Sequence, residues 1–387
     1  MYRYVTIFLI IIVTLVMTAC GGSSEETTQE PAADLAAVAE PAAEEPVEEP
    51  TVEAVEESVE AVSEEAPVDS ETADNATAVI NLDYFDAAGQ VSTPQVVGCT
   101  LQNGAATQCA QFVVKYLPDN LEIGPFCPET IYEEGGVWEW DGDEPGLYRL
   151  NEAFFTMLTA QGYEFYDADG NVYIGDPAGG IQAGVNNCLE ATAAEAVEMT
   201  VRIPLQPVMA ETPTDLGTVA QVGLSIDAVP IFADAPSVLQ TGHLPALDEC
   251  GGHIDPGGWY HWHATATDID SSFAHEGVDV HCHLDQSATA LFGFAFDGYP
   301  IYGSVDQDGS IPTDLDECSG HMGATADYPD GVYHYHASLE FPNLPSCLMG
   351  VSAENAFATT ASAGIGAAGG RGPGGPGGGI RTTVVIR

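Results

Sequence analysis

Three pairs of histidines, each with one residue between its members, are the side chains of this sequence best suited to chemistry. The pairs are His261 and His263, His281 and His283, and His334 and His336. In an extended strand, residues i and i+2 point to the same face and lie roughly 6.6 to 7 Å apart. Two imidazoles of one pair can therefore converge on one ion. Imidazole suits copper, zinc and iron alike, so the pairs predict a divalent transition-metal site without choosing the metal.

The other histidines lie in the same part of the chain. All ten fall between positions 243 and 336, and no Lys or Arg occurs between Ile203 and Gly370. His253 and His321 are the last residues of the matching LDEC-x-GH segments and are further candidate ligands. The acidic residues beside them are expected to orient imidazoles through hydrogen bonds or to bind the metal directly. They are Asp248, Glu249, Asp316 and Glu317.

Two alternatives stay open, a packed histidine core without metal and a different ligand set at the third pair. A Tyr-His-x-His segment is also compatible with a packed core in which every imidazole is satisfied by backbone hydrogen bonds. At the third pair, a free Cys282 thiol between His281 and His283 would indicate a softer copper or zinc site. The even number of cysteines after the N-terminal segment favours a disulfide for Cys282 instead.

The elements that must position these side chains form a repeat. Three blocks recur in the same order, at offsets of 70, 68 and 73 residues. They are VGLSIDAVPIF (222–232) with FGFAFDGYPIY (292–302), LDECGGH (247–253) with LDECSGH (315–321), and GWYHWHA (258–264) with GVYHYHA (331–337). The copies span 222–264 and 292–337, which predicts a duplicated β unit arranged about a pseudo-twofold axis.

Duplication gives a reason for the repeated histidines. One strand supplies two imidazoles on one face and turns its aromatic residues to the opposite face. Two such strands could bring four imidazoles to one shared site near the axis. The expected ligands of that site are His261, His263, His334 and His336.

In these blocks the sequence resembles the YHYH domain family of exported bacterial proteins, whose members carry GYPIYG-like, LDEC-x-GH and YHYH motifs in this order. The resemblance covers about 200 to 350, and GPFCPETI (124–131) is similar to the region that precedes the domain in some members. In the first copy Trp262 replaces the second Tyr of the name motif, and both histidines are retained. The resemblance implies no established reaction.

Eight cysteines lie beyond the N-terminal segment, and in an exported protein this even number predicts four disulfides. Cys99 and Cys109 flank Asn103-Gly104, a hairpin signal, and are expected to face each other across two strands. We further expect Cys127 with Cys188, and the repeat suggests the last two bonds. These are Cys250 with Cys282 and Cys318 with Cys347.

The chain divides into five predicted segments. They are a lipoprotein signal peptide (1–20), a disordered acidic linker (21–75), an N-terminal β-rich region with one helix (76–200), the YHYH domain (201–355) and a Gly-rich low-complexity tail (356–387). The apolar run from Val5 to Met17 is too short for a spanning helix and is typical of a secretory signal. It ends in MTAC, which resembles a lipobox, so Cys20 is the expected lipidation site. The linker holds 18 acidic residues and no Lys or Arg, which predicts an extended stalk.

Within the N-terminal region, LNEAFFTMLTAQG (150–162) has the apolar spacing of an amphipathic helix ending near Gly162. YEFYDADGNVYIG (163–175) predicts a hairpin around Asp169-Gly170. Its acidic residues also fit half of a calcium loop, but the downstream Glu is missing, so the turn is favoured. The overall fold class predicted is α+β, rich in β structure and stapled by disulfides.

Charge limits the partners. The chain has 59 acidic residues against seven Lys and Arg, so nucleic acid and anionic membrane surfaces are poor partners. We expect an extracytoplasmic lipoprotein held at a membrane by its lipid, facing the periplasm or the cell surface; its protein or small-molecule partner stays open. Whether it is an enzyme is open too, because no known catalytic signature is present.

Three functions remain. The first is metal binding through the paired histidines. The second is a metal-dependent hydrolase with Asp248, Asp316 or Glu317 as general base. The third is a structural or adhesion module without metal, in which tryptophans offer a carbohydrate surface. Those tryptophans are Trp138, Trp140, Trp259 and Trp262.

Overall fold

Strands dominate the structure, a computed structural model that describes residues 79–217, 221–233, 237–265, 269, 274, 277–279, 282–284, 287–339 and 343–367. The predicted signal peptide with Cys20, the predicted linker and most of the predicted tail lie outside these residues. The helices include α1 (Glu152–Ala160) and α2 (Val238–Thr241), and short 3-10 turns lie at Leu82–Tyr84 and Ala87–Gly89. The β-rich character predicted from the sequence is confirmed.

A four-stranded antiparallel sheet contains the first strands of the described residues. Its strands, in spatial order, are β1 (Gln90–Thr100), β2 (Ala106–Lys115), β7 (Glu198–Pro204) and β19 (Phe357–Thr359). The β1–β2 hairpin turns at Asn103-Gly104, where Gly104 has φ 85°. Cys99 pairs in register with Thr107, and Cys109 with Val97, so the disulfide Cys99–Cys109 is diagonal across the hairpin. The sheet thus unites strands from three of the predicted segments.

Helix α1 forms where the apolar spacing predicts it. Asn151 caps its first turn by accepting from the N–H groups of Ala153 and Phe154. Phe154, Phe155 and Leu158 are buried, and the helix ends two residues before Gly162, whose φ of 96° suits glycine. The following hairpin is also confirmed: Tyr166 and Val172 form a bridge across the Asp169-Gly170 turn.

Smaller sheets contain other strands of the described chain. They are β3 (Val137–Trp140) with β4 (Gly146–Arg149), β5 (Ile174–Gly175) with β6 (Cys188–Leu189) and β11 (Leu244–Pro245), and β8 (Met209–Asp215) with β18 (Cys347–Gly350). Arg149 of β4 donates a hydrogen bond to Glu249 Oε1 in the first LDEC block. This contact connects the N-terminal region to the repeat.

The repeat forms one eight-stranded sheet. In spatial order its strands are β12 (Gly252–Ile254), β13 (Tyr260–Trp262), β10 (Pro230–Phe232), β9 (Gln221–Ser225), β14 (Leu291–Ala295), β15 (Pro300–Tyr302), β17 (Val332–His336) and β16 (Gly320–Gly323). The two strands of the first matching block are adjacent antiparallel neighbours, and so are those of its second copy. At the centre β9 pairs antiparallel with β14, and Leu224 lies opposite Phe294. Each histidine strand runs parallel to its inner neighbour.

Four disulfides are present, and all four predicted pairings are confirmed. The bonds are Cys99–Cys109, Cys127–Cys188, Cys250–Cys282 and Cys318–Cys347. Cys282 is therefore bonded to Cys250 and is not a free thiol ligand. Within the described residues, no helix has the length and apolar character needed to cross a membrane.

Candidate metal centres

Each histidine pair of the repeat gains a third imidazole from the neighbouring antiparallel strand. His253 of β12 lies directly opposite His261 of β13, and His321 of β16 lies opposite His334 of β17. Directly opposed side chains of an antiparallel pair share one face of the sheet. The LDEC-x-GH block and the His-x-His block therefore meet as two halves of one ligand set in each copy.

The first cluster consists of His253, His261 and His263. Their Nε2 atoms converge: His261 Nε2 lies 2.9 Å from His263 Nε2, which lies 3.1 Å from His253 Nε2. The side chains of His261 and His263 are only 2% and 3% exposed. This spacing brings three nitrogen ligand atoms within reach of one ion.

A backbone carbonyl oxygen determines which nitrogen of His263 carries the proton. His263 Nδ1 lies 2.6 Å from the carbonyl oxygen of Ala233 and must donate, since a carbonyl oxygen only accepts. His261 Nδ1 is buried and has no hydrogen-bond partner among the described residues. In a neutral His263 the Nε2 atom then presents a lone pair to the cluster, as in a metal-binding imidazole.

The second cluster consists of Asp306, His321, His334 and His336. Their ligand atoms all lie within 4.8 Å of one another. His321 Nε2 lies 3.1 Å from His334 Nε2, and Asp306 Oδ1 lies 3.5 Å from the Nε2 atoms of both His321 and His336. Three nitrogens and one carboxylate oxygen form the kind of four-ligand set that zinc takes in proteins.

All three imidazoles of the second cluster have an acceptor at Nδ1. His334 Nδ1 lies 3.0 Å from the carbonyl oxygen of Val332, and His336 Nδ1 lies 2.8 Å from that of Gly303. His321 Nδ1 lies 2.8 Å from Asp314 Oδ1. Because each Nδ1 donates outward, the neutral rings leave three Nε2 lone pairs pointing inward. The Nε2 of His336 has no hydrogen-bond partner among the described residues.

Burial keeps these imidazoles neutral. It lowers the pKa of His253 and of His334 to about 4, and the pKa of His336 is lowered for the same reason. The pKa values of His261 and His263 are well below the usual range, first because of burial and then because neighbouring imidazoles repel a second charge. A neutral imidazole is the form that binds a metal ion. His253, His261, His263, His334 and His336 are therefore in the ligand form at neutral pH.

The aromatic residues between the histidines turn to the opposite face, as predicted. There they meet the acidic residues of the LDEC blocks: Tyr260 donates to Asp248 Oδ2 at 2.8 Å, and Tyr333 donates to Asp316 Oδ2 at 2.7 Å. Asp248 also accepts from the N–H groups of Cys250 and Gly252, which fixes the LDEC turn.

The expectation that these acidic residues serve the histidines is therefore wrong. Asp248 and Asp316 accept hydrogen bonds from Tyr260 and Tyr333, and Glu249 pairs with Arg149. None of these three acidic residues belongs to a cluster. Glu317 also lies outside the clusters, and its carbonyl oxygen lies 3.6 Å from the disulfide-bonded Cys347 Sγ. A general base at either cluster cannot be Asp248 or Asp316, whose carboxylates bind hydroxyl groups on the other face.

The expected single site shared by four histidines is also wrong. Strands β13 and β17 are separated by β10, β9, β14 and β15, five strand spacings or roughly 24 Å apart. The pair His261 and His263 and the pair His334 and His336 thus belong to two distinct clusters. Each copy completes its own site through His253 or His321.

Two other expectations concern His281 and His283. His281 lies outside the described residues. His283 belongs to neither cluster: its Nε2 accepts from the N–H of Glu122 at 3.3 Å, and its Nδ1 lies 3.9 Å from Cys250 Sγ. Its place beside the Cys250–Cys282 disulfide follows from its position next to Cys282.

Asp306 and Asp314 were missed by sequence reasoning. Asp306 lies four residues beyond the end of β15, in a loop that the parallel pairing of β15 with β17 brings to His336. Asp314 lies seven residues before His321. No spacing rule marks either residue; the loop position after a repeated strand is the one signal available.

Two minor expectations are resolved by burial and hydrogen bonding. All four tryptophans are at most 5% exposed, so they do not form a carbohydrate-binding surface. Asp167 Oδ1 accepts from the N–H groups of Asp169 and Asn171, and its Oδ2 accepts from the Asn171 amide, which supports the turn interpretation over a calcium loop.

A family model described as YHYH protein matches residues 200–313 and 305–350 of the chain. Both clusters lie inside the matched residues. No curated protein and no solved structure matches the chain.

Proposed function

We propose that this chain, whose residues 200–350 belong to the YHYH protein family, is an exported, lipid-anchored protein that binds transition-metal ions at both histidine clusters. The family assignment itself carries no chemistry, so the proposal depends on the clusters. Each would hold one divalent ion of zinc, copper or iron, the metals that imidazole suits.

The inward lone pairs of the second cluster are the observation that supports metal binding most strongly. Two unprotonated nitrogens 3.1 Å apart repel each other unless a proton or a cation lies between them. Protonation is disfavoured because burial lowers the pKa of His334 to about 4. A metal ion would satisfy the Nε2 atoms of His334 and His336 and the carboxylate of Asp306 together. Hydrogen bonds at every Nδ1 would orient the rings for it.

The core alternative explains less of this arrangement. Imidazoles that only fill a core need one donor and one acceptor partner each. In the second cluster every Nδ1 partner is an acceptor, so at most one added proton could bridge two of the three Nε2 atoms. The Nε2 of His336 would still lack a partner at 2% side-chain exposure.

Metal content tests the proposal. The full chain, purified with and without chelator, is analysed for bound metal after equilibration with micromolar zinc, copper or iron. We expect two ions per chain. His261→Gln with His263→Gln should lower the content to one, and so should His334→Gln with His336→Gln. Near-ultraviolet circular dichroism verifies that each variant is folded.

His243→Gln is the matched control, since His243 lies in neither cluster. Its metal content should equal that of the wild type. A wild type that binds no metal under these conditions, or a quadruple glutamine variant that keeps both ions, would show that the histidines are structural.

We also infer that the metal-binding half is a duplicated unit related by a pseudo-twofold axis. The strand order supports this, because equivalent strands of the two copies stand at equal distances from the β9–β14 pair. Leu224 and Phe294, equivalent at the offset of 70, lie opposite each other there. Superposing 222–264 on 292–337 in an experimental structure should require a rotation near 180°. A rotation far from that value would contradict the inference.

Lipid anchoring is proposed from the sequence alone. MTAC precedes the acidic segment that begins at Gly21, and the four disulfides fit an oxidising compartment. Cys20→Ser should abolish incorporation of labelled fatty acid and release the chain from membranes, whereas Ser23→Ala should leave both unchanged. Membrane retention of unlabelled Cys20→Ser would refute the anchor.

A further inference from the structure

The ligand atoms that the described residues provide differ between the two clusters. In the second cluster, Asp306 Oδ1 lies 3.5 Å from two ligand nitrogens and provides a fourth ligand atom. Among the described residues, the first cluster has three imidazoles and no carboxylate within the same range. A metal ion on three protein ligands keeps a coordination position for another molecule, as in catalytic zinc sites.

A cavity of about 230 Å³ lies at the first cluster, and all three of its histidines line the wall. Most of the other wall residues are apolar, among them Leu189, Ala191, Ile254, Pro256 and Ile365. A cavity of about 150 Å³ is enough for benzene when its lining is apolar. The cavity beside His253, His261 and His263 therefore has room for one aromatic ring and its metal-binding group.

Acidic residues near the cavity offset the positive charge that the proposed ion brings, which disfavours an anionic occupant. Asp255 is one of its wall residues and is 2% exposed, and no Lys or Arg occurs between Ile203 and Gly370. The chain as a whole has a formal net charge of −52. A neutral molecule with a nitrogen lone pair suits the metal, and its apolar ring suits the walls.

We propose that the first cluster binds a small neutral nitrogen heterocycle, with a ring nitrogen on the metal and its apolar part in the cavity. The inference rests on the proposed metal binding at His253, His261 and His263. The second cluster, already completed by Asp306, does not take such a ligand. The first cluster is thus a ligand-binding centre and the second a structural one.

Cobalt(II) is the probe for the open coordination position of the first cluster, because its visible spectrum changes when an added ligand binds to the ion. The His334→Gln, His336→Gln variant of the full chain, loaded with cobalt, isolates the first cluster. It is titrated with 4-phenylimidazole, imidazole and benzoate. We expect a saturable spectral change, with 4-phenylimidazole binding at least tenfold more tightly than imidazole and benzoate more weakly than either.

Two variants act as controls. The His261→Gln, His263→Gln variant retains the second cluster, and its cobalt spectrum should not respond to 4-phenylimidazole. Ala191→Phe in the first-cluster background fills the cavity, so it should keep its cobalt and its response to imidazole while losing the tenfold preference.

The outcomes separate the two proposals. Absence of cobalt from the first cluster would refute metal binding there, and the ligand inference with it. Two results would overturn the ligand inference while still supporting metal binding. They are a bound-cobalt spectrum that does not change with 4-phenylimidazole, and tighter binding of benzoate than of 4-phenylimidazole. An equal response from both clusters, or an unchanged preference in Ala191→Phe, would show that the cavity does not select the ligand.

Discussion

His321 donates from Nδ1 to Asp314 Oδ1 at 2.8 Å, and this carboxylate is the one acidic partner among the outward contacts of the second cluster. The Asp314 side chain is 73% exposed. The hydrogen bond to His321 holds the pKa of Asp314 below its usual range. A carboxylate behind a ligating imidazole fixes its ring and strengthens it as a ligand.

Replacing Asp314 should therefore weaken metal binding without removing a ligand. We expect Asp314→Asn to lower metal affinity at the second cluster by roughly 10- to 100-fold, the usual effect of losing such a partner. The measurement is competition with a chelator in the His261→Gln, His263→Gln background. Asp330→Asn removes an equal charge from an exposed turn and should have no effect. Equal affinities of Asp314→Asn and Asp330→Asn would contradict this role.

Tyr335 should matter for stability rather than for metal binding. Its hydroxyl donates to Asp297 Oδ2 at 2.5 Å and accepts from the N–H of Met349 at 2.8 Å, and both Tyr335 and Asp297 are fully buried. Tyr335→Phe leaves a buried carboxylate short of one donor, so unfolding should become easier by roughly 1 to 3 kcal/mol. Chemical denaturation measures the change. Tyr132→Phe, at 68% exposure, should be neutral; a Tyr335→Phe variant as stable as the wild type would refute the prediction.

The glycine of each LDEC-x-GH block should resist substitution. A Cβ added at Gly320 would overlap the Tyr333 hydroxyl, and one at Gly252 would overlap that of Tyr260. Gly320→Ala must displace Tyr333 from Asp316, which lies on the face opposite the cluster. We expect a loss of stability of roughly 1 to 3 kcal/mol, as overpacking usually costs.

Gly98→Ala is the matched control for Gly320→Ala. A Cβ at Gly98 meets no atom within 4 Å, so its substitution should change the free energy of unfolding little. Thermal denaturation of both variants checks the prediction. Similar melting temperatures for the two would mean that the tyrosine hydroxyl has room to move.

Acid should destabilise the metal-free protein through its buried histidines. The pKa of His334 falls to about 4 on burial, below the value of about 6.5 in an unfolded chain. The unfolded chain then binds more protons between these values. The contribution of His334 to stability is therefore present above about pH 6.5 and lost as the pH falls toward 4.

Comparison of the wild type with His334→Gln isolates the pH-dependent contribution of His334 to stability. Burial raises the pKa of Asp297 to about 6, so its contribution has the opposite sign: it is present below about pH 4 and lost as the pH rises through 6. This opposing contribution is common to wild type and His334→Gln and cancels in the difference. Denaturant midpoints of the metal-free proteins between pH 4.5 and 7.5 should show a shallower acid decline for His334→Gln. Parallel curves would show that His334 does not titrate in this way.

Sequence alone determined the features that depend on neighbours along the chain. The apolar stripe and Asn151 specify α1, the Asn103-Gly104 turn specifies the first hairpin, and alternation on β13 and β17 sends histidines to one face and aromatics to the other. The four disulfide pairings also followed: Cys99–Cys109 closes one hairpin, Cys127–Cys188 lies within one region, and the last two bonds each join an LDEC cysteine to the cysteine that follows it along the chain.

Tertiary structure alone decided how the ligands are grouped. The β9–β14 pair holds the copies together at the centre of the sheet, so β13 and β17 come to lie far apart and one shared site becomes two. Strand order depends on long-range pairing, which no local pattern encodes. Long-range strand pairing also brings Asp306 close to His336, and it brings Asp248 within hydrogen-bond distance of Tyr260. The histidine spacing predicted ligand chemistry; the sheet order decided that each copy has its own site and that the first faces a cavity.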